Sequence, residues 1–90
     1  MTQRDKMMER MRNNPKGGWR FQQVDSLLRY YEFECRPGSK HSHFIYLHNL
    51  LSREVVIVYR GKELKPFYVG RALEAIEEVI MRRENENDEV

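Results

Sequence analysis

All three histidines of this chain lie within residues 41–48, which read HSHFIYLH. A histidine side chain ordinarily titrates near pH 6.5, within about one unit of physiological pH, so an imidazole can take up or release a proton there. Such a group suits general acid or general base chemistry. The HSH spacing is too short and isolated to predict a zinc site, which needs further Cys or His ligands.

The residues around these histidines indicate a strand that follows a turn. Residues 37–39, with the sequence PGS, are typical of a turn. The alternation that follows predicts a strand with His41, His43, Ile45 and Leu47 on one face. His41 and His43 would then lie about 7 Å apart along the strand, so His41 is either a partner of His43 or a charge that influences it.

Helical and strand periodicities predict the elements that must position this strand. Apolar residues at helical spacing predict helices over 2–13 and 20–31, and the stretch NNPKGG separates them. The segments FECR at 33–36 and EVVIVY at 54–59 are typical of strands. Pro66 fits the first turn of a last helix, which is expected to fray into RRENENDEV. Three antiparallel strands with helices packed on one face make an α+β sandwich.

Length and composition limit the class of protein. Ninety residues with 40% hydrophobic and 33% charged residues make one ordinary domain. No apolar run approaches the ~20 residues that a membrane-spanning helix needs, and the charged N-terminus lacks the apolar core of a secretory signal. A single cysteine, Cys35, fits a reducing compartment, so a cytoplasmic location is expected.

The net charge of +2 conceals two regions of opposite sign. Residues 1–70 carry 13 Lys or Arg against 7 Asp or Glu, whereas residues 71–90 carry 3 against 7. A basic body suggests an anionic partner such as nucleic acid. The plainer alternative is a solvated surface with an acidic tail that improves solubility.

Three segments together resemble one family, the HicA-type toxins. SHFIYLHN resembles the histidine motif of that family, with His43 in the first histidine position, Tyr46 in the aromatic position and His48 in the last. GKELKPFYVGRALEAIEEV is similar to the family's connection from the last strand to the last helix. RNNPKGGWRFQQVDSLLRYYEFECR resembles an N-terminally extended version of its first helix. The resemblance covers roughly residues 8–81.

The resemblance implies a fold and an activity. The fold would be an α-β-β-β-α sandwich like that of the double-stranded-RNA-binding domain, preceded by a short N-terminal helix. The expected organisation is a helical extension and turn over 1–18, the HicA-like domain over 19–82 and an acidic flexible tail over 83–90. The implied activity is endoribonucleolytic cleavage of mRNA without a metal or other cofactor. The chain would be the toxin of a type II toxin–antitoxin system, with a HicB-type antitoxin as its protein partner.

The resemblance also assigns candidate catalytic residues. His43 is the expected catalytic residue, and His41 is the second candidate, because a register starting at Gly38 would make His41 the equivalent residue. The chain departs from the family pattern at Tyr59 and Arg60, where a histidine is often found near the end of the third strand. From spacing alone, His43 would more often be a surface histidine, and only the family pattern favours catalysis.

A phosphate-binding surface is expected beside these histidines, at the turn before the strand and around the start of the last helix. Helix N-termini favour anions through their N–H groups and dipole. The plainer alternative is a set of solvated lysines in loops. The expected phosphate-binding residues are Lys40, Lys62, Lys65, Tyr68 and Arg71.

Two other functions remain open on the sequence alone. The chain is alternatively an RNA-binding module that kept the fold and lost the reaction. It is otherwise a protein-interaction domain that uses the stripe of Met7, Met8 and Met11 together with the acidic tail. More often such a methionine stripe packs against its own domain.

Overall fold

The chain folds as an α+β unit of three helices and a three-stranded antiparallel sheet. The computed structural model describes residues 3–38, 40–61 and 63–88, with side chains described as far as residue 85. The predicted order of elements is confirmed. The elements are α1 (Gln3–Asn13), α2 (Phe21–Tyr30), β1 (Glu34–Pro37), β2 (His43–Leu47), β3 (Val55–Val58) and α3 (Pro66–Asp88).

The sheet has the order β1-β2-β3, so the histidine-bearing strand β2 is central. Tyr46 lies opposite Cys35 on β1 and opposite Val55 on β3, and Phe44 lies opposite Ile57. These side chains share one face of the sheet, because residues paired across strands point to the same side. His43, Ile45 and Leu47 therefore point to the other face, as the alternation predicted.

One hydrophobic core forms between the Tyr46 face of the sheet and the helices. Tyr46, Val55 and Ile57 are completely buried. They belong to the same cluster as the apolar stripes of α2 and α3. The helical residues in this cluster include Val24, Leu27, Leu28, Val69, Ile76 and Val79. The opposite face is more open, and Val56 on it is 38% exposed.

Helix α1 packs on the same core instead of standing apart from it. Met8 and Met11 are buried in the common cluster, and Met7 packs against it. Arg12 binds Glu77 of α3. The methionine stripe thus packs against its own domain, and Gln3–Asn13 of the predicted 1–18 extension is one of the packed helices.

Helix α3 extends beyond the point at which the sequence predicted fraying. A tail was expected over 83–90, but the helix continues to Asp88, and residues 89 and 90 lie outside the described part of the chain. Arg82 binds Glu78 one turn earlier, and Arg83 binds Glu32 at 3.0 Å. Arg and Glu are good helix formers, so these contacts extend the helix at little cost. No described helix has the length and apolar character needed to cross a membrane.

A hydrogen bond joins the central strand to α2. The Tyr46 hydroxyl donates to Asp25 Oδ1 at 2.6 Å, and the Arg29 Nε–H donates to both oxygens of the same carboxylate. Burial, together with the bond to Asp25, raises the pKa of Tyr46 above the ordinary tyrosine value. This contact fixes which residues of β2 face the core.

Replacing Tyr46 with Phe retains the buried ring and removes this bond. The free energy of unfolding near neutral pH should fall by about 1–2 kcal/mol, because Asp25 loses a donor. Since the pKa of Tyr46 is raised in the folded state, wild-type stability should also decline as the pH rises above 10.0, where the unfolded tyrosine ionises. The Phe variant should show a shallower alkaline decline.

Urea denaturation at neutral and at alkaline pH measures both effects. Tyr30→Phe is the control, because that side chain is 46% exposed, and its stability should stay within about 0.5 kcal/mol of wild type. A Tyr46→Phe protein with wild-type stability at both pH values would show that the bond to Asp25 is not stabilising.

Candidate functional site

His43 is the first residue of the central strand and lies on the open face of the sheet. Its side chain is half-buried, opposite Val58 of β3. Its backbone is held on both sides, because its N–H donates to the Lys40 carbonyl at 3.0 Å and its carbonyl accepts the Gly38 N–H at 2.8 Å. The sheet and the preceding turn therefore fix the position of the imidazole.

Gly38 is packed directly against His43. A Cβ atom at Gly38 would lie 2.7 Å from the His43 Cβ and 3.0 Å from its carbonyl oxygen. Side chains do not approach each other so closely, so a larger residue at position 38 would displace the histidine or the turn. The glycine predicted as a turn residue also makes room for the candidate catalytic side chain.

The His43 side chain lines a cleft of about 600 Å³. The cleft lies between the start of β2, the end of β3 and the loop that leads into α3. Because His43 pairs with Val58, the chain leaving β3 runs directly past the imidazole. The lining residues are His43, Val58, Arg60, Glu63, Lys65 and Tyr68.

Two cations in this cleft are available to a ligand. Arg60 and Lys65 are exposed, and neither forms an ion pair with any residue that the structure describes. Glu63 brings one carboxylate to the same cleft, and its Oε1 would lie 3.1 Å from a Cβ at Gly18. The cleft thus combines an imidazole, a carboxylate and two cations that form no ion pair with a described residue.

The start of α3 positions Lys65 and Tyr68 at the wall of this cleft. The Lys65 carbonyl accepts the N–H groups of Tyr68 at 2.9 Å and of Val69 at 3.2 Å. Pro66 has no N–H group to offer. The helix start therefore contributes the positive end of its dipole and the Lys65 side chain, rather than a row of free N–H donors.

Only part of the predicted site is brought together. His43, Lys65 and Tyr68 line the cleft. His41 and Lys40 are exposed in the turn before β2 and do not line it. The Arg71 guanidinium lies 5.4 Å from the centroid of the Phe67 ring, also outside the cleft lining. Lys62 lies outside the described residues.

Tyr46 and His48, the other two residues of the histidine motif, make contacts typical of structural residues. Tyr46 is completely buried. His48 Nδ1 accepts the Leu50 N–H at 3.0 Å, and its ring lies edge-on to Phe33 with centroids 5.0 Å apart. Because Nδ1 accepts, the proton of the neutral ring is assigned to Nε2, which is buried without a hydrogen-bond partner among the described residues. His48 thus accepts a backbone hydrogen bond just after β2 and packs against Phe33, which is a structural environment.

Arg60 and Glu63 were not among the predicted site residues, although both line the cleft. The sequence could have indicated Arg60, because it lies two residues after Val58. The alternation of β3 would put both residues on the open face, with His43. Glu63 had no comparable signal, since it lies in a loop whose path depends on how α3 packs.

The described arginines and lysines divide into two groups. One group is paired with carboxylates: Arg12, Arg29, Arg36, Arg53, Arg82 and Arg83. The second group makes no ion pair with a described residue. It consists of Lys6, Arg10, Lys16, Arg20, Lys40, Arg60 and Lys65, and two further arginines, Arg4 and Arg71, lie over aromatic rings. The positive charge near the cleft is therefore not neutralised by the acidic residues of α3.

Replacing Gly38 with Ala tests whether this close approach positions His43. The variant should lose about 1–3 kcal/mol of unfolding free energy, because the added methyl group overlaps the His43 Cβ. The imidazole signals of His43 in an NMR spectrum should shift more than those of His48. Gly70→Ala in α3 is the control, since its Cβ would meet no atom within 4 Å, and it should gain about 0.5–1 kcal/mol. Unshifted His43 signals in the Gly38 variant would disprove the positioning role.

Comparison with known proteins gives no relative on which to base a function. No family model, no curated protein and no solved structure matches this chain. Among the described residues, no three His, Cys, Asp or Glu side chains form a group that could hold a metal ion.

Proposed function

We propose that this chain is a HicA-like endoribonuclease that cleaves mRNA without a metal, and that the His43 cleft is its catalytic centre. One observation carries the proposal: a half-buried imidazole, a carboxylate and two unpaired cations line the same cleft. The phosphodiester of RNA is an anion, and the proposed cleavage moves protons at two oxygens, so it uses each of these groups.

The proposed reaction is an internal transesterification of the RNA strand. A base takes the proton of the ribose 2′-hydroxyl, and the 2′-oxygen forms a bond to the adjacent phosphorus. The bond from phosphorus to the 5′-oxygen of the next nucleotide breaks, and an acid gives that oxygen a proton. The products are a 2′,3′-cyclic phosphate and a free 5′-hydroxyl. Negative charge on the phosphoryl oxygens is stabilised by cations in the transition state.

The cleft residues fit these roles. Protonated His43 donates to the leaving 5′-oxygen, because an imidazolium is an effective donor near neutral pH. Glu63, as a carboxylate, accepts the proton from the 2′-hydroxyl. Arg60 and Lys65 bind the phosphate, with Arg60 occupying the region in which the family often has a histidine. Tyr68 contributes a hydroxyl at the cleft wall.

The fold and a protein partner belong to the same proposal. The sequence α2-β1-β2-β3-α3 is the order of elements expected of a domain like the double-stranded-RNA-binding domain, with α1 added. As the toxin of a type II system, the chain would act in the cytoplasm and be inhibited by a HicB-type antitoxin covering the cleft. The open face beside His43 offers apolar contacts to such a partner through Ile45, Leu47 and Val56.

Replacing His43 with Ala tests the catalytic assignment. In an assay that contains EDTA, the His43→Ala variant should cleave a labelled mRNA about 10²–10⁴-fold more slowly than the wild type does. The reason is that the leaving oxygen loses its proton donor. RNA affinity, measured by filter binding, should change little. His41→Ala is the matched control and should cleave at close to the wild-type rate, since His41 does not line the cleft. Equal cleavage by wild type and the His43 variant would rule out His43 as the proton donor, and RNA binding without cleavage by either protein would leave the RNA-binding module as the better description.

Replacing Glu63 with Gln separates a catalytic role from a binding role. The kcat should fall by about 10²-fold or more, because an amide does not accept the proton. The KM should fall or stay constant, since the change removes a negative charge from a phosphate site. Glu54→Gln is the control with the same charge change, because Glu54 is exposed and does not line the cleft. An unchanged kcat in the Glu63 variant would rule out this residue as the base.

A further inference from the structure

A second cleft of about 400 Å³ lies between α1 and the start of α2. No motif of the sequence pointed to it, and none of the cleavage chemistry uses it. The residues that line it are Gln3, Lys6, Met7, Arg10, Trp19 and Gln23. We call it the α1–Trp19 cleft.

The charge of this cleft is positive. Lys6 and Arg10 are one helical turn apart and so occupy the same face of α1. Neither forms an ion pair within the described part of the chain, and no lining residue carries a carboxylate. Arg12 of the same helix differs, since it binds Glu77 on the far side. Lys6 and Arg10, which line the cleft with Trp19, thus keep their charges available to a ligand.

Trp19 gives this cleft an aromatic wall in a fixed position. Its indole N–H donates to the Asn14 carbonyl at 2.8 Å, which holds the ring. Because that N–H is already used, the ring offers a ligand mainly its apolar surface. A fixed aromatic ring beside unpaired cations is the combination with which proteins bind unpaired nucleotides.

The two clefts are connected through the backbone. The Trp19 carbonyl accepts the Leu64 N–H at 2.9 Å, and Leu64 lies between Glu63 and Lys65 of the His43 cleft. The Phe21 ring stacks on Tyr59 with centroids 4.7 Å apart, and Tyr59 lies between Val58 and Arg60. The segment that carries Trp19 is thus in direct contact with the segments that line the His43 cleft.

We infer that the α1–Trp19 cleft binds unpaired nucleotides that flank the scissile bond on the same RNA strand. Lys6 and Arg10 contact phosphates, and Trp19 stacks on a base. This inference rests on the proposed ribonuclease function and adds an extended substrate path to it. It also assigns α1 a role in binding RNA besides its packing on α3.

An extended path predicts that substrate length matters. We compare an RNA of about six nucleotides centred on a mapped cleavage site with one of about 20 nucleotides around the same site. The wild type should cleave the longer RNA with a KM lower by about 10-fold, and kcat should be the same for both. The double variant Lys6→Gln, Arg10→Gln should raise the KM of the longer RNA by about 10-fold and leave the short RNA unaffected. Loss of two phosphate contacts should also reduce the magnitude of the slope of log affinity against log salt concentration by about 1.4.

The control is the double variant Arg53→Gln, Arg82→Gln. It removes two positive charges, as the Lys6 and Arg10 variant does. The two charges come from arginines that already form ion pairs, since both bind Glu78. It should retain the length dependence of the wild type. The flanking subsite is disproved if the Lys6 and Arg10 variant cleaves both RNAs as the wild type does, or if it raises the KM of both RNAs equally. In either case the catalytic proposal stands.

Binding measurements keep this test separate from the proposed function. If the wild type cleaves no RNA, the catalytic proposal fails, and fluorescence anisotropy with mixed-sequence RNAs of about six and about 20 nucleotides then tests the cleft alone. Selective loss of affinity for the longer RNA in the Lys6 and Arg10 variant supports an RNA surface there. If the variant keeps its RNA affinity and instead loses an acidic protein partner, the inference is wrong.

Discussion

The register of the central strand is the constraint on which the rest of this structure depends. Tyr46 is completely buried, and its hydroxyl donates a hydrogen bond to Asp25. The Tyr46 side chain is therefore held on the core face of β2. Strand side chains alternate, and a slip of one residue would exchange the two faces. His43 is three residues from Tyr46 and must therefore point away from the core. The burial that stabilises the domain also orients the imidazole.

Two connections then decide what surrounds that imidazole. The turn before β2 approaches so closely that Gly38 leaves no space for a side chain beside His43. The chain leaving β3 passes the same point, which brings Arg60 and then Glu63 and Lys65 to the cleft. Arg60 and Glu63 lie in the loop from β3 to α3, whereas His43 begins a strand and Lys65 directly precedes a helix, so regular structure preorganises the last two groups. Such preorganisation is what electrostatic stabilisation of a transition state requires.

The ion pairs of this chain determine which of its positive charges are neutralised and which remain available to a ligand. Acidic residues of α3 neutralise arginines from three parts of the chain: Glu77 binds Arg12, and Glu78 binds Arg53 and Arg82. Cations around the two clefts have no such partners among the described residues. Surface pairs contribute little stability, about 1 kcal/mol or less each, but they determine where positive charge remains available. Four of these cations, Lys6, Arg10, Arg60 and Lys65, line the two clefts, and such local positive charge attracts an anionic polymer.

The sequence by itself determined the order of the elements and the face of β2 that carries His43, because helical and strand periodicities are local properties. It also placed Lys65 at the start of the last helix through the adjacent proline. Only the tertiary structure decided that His41 stays in the exposed turn while Glu63 joins the cleft, and that Lys6 lies beside Trp19. Those relations join segments distant in sequence, and they depend on strand register and helix packing, which no local pattern encodes.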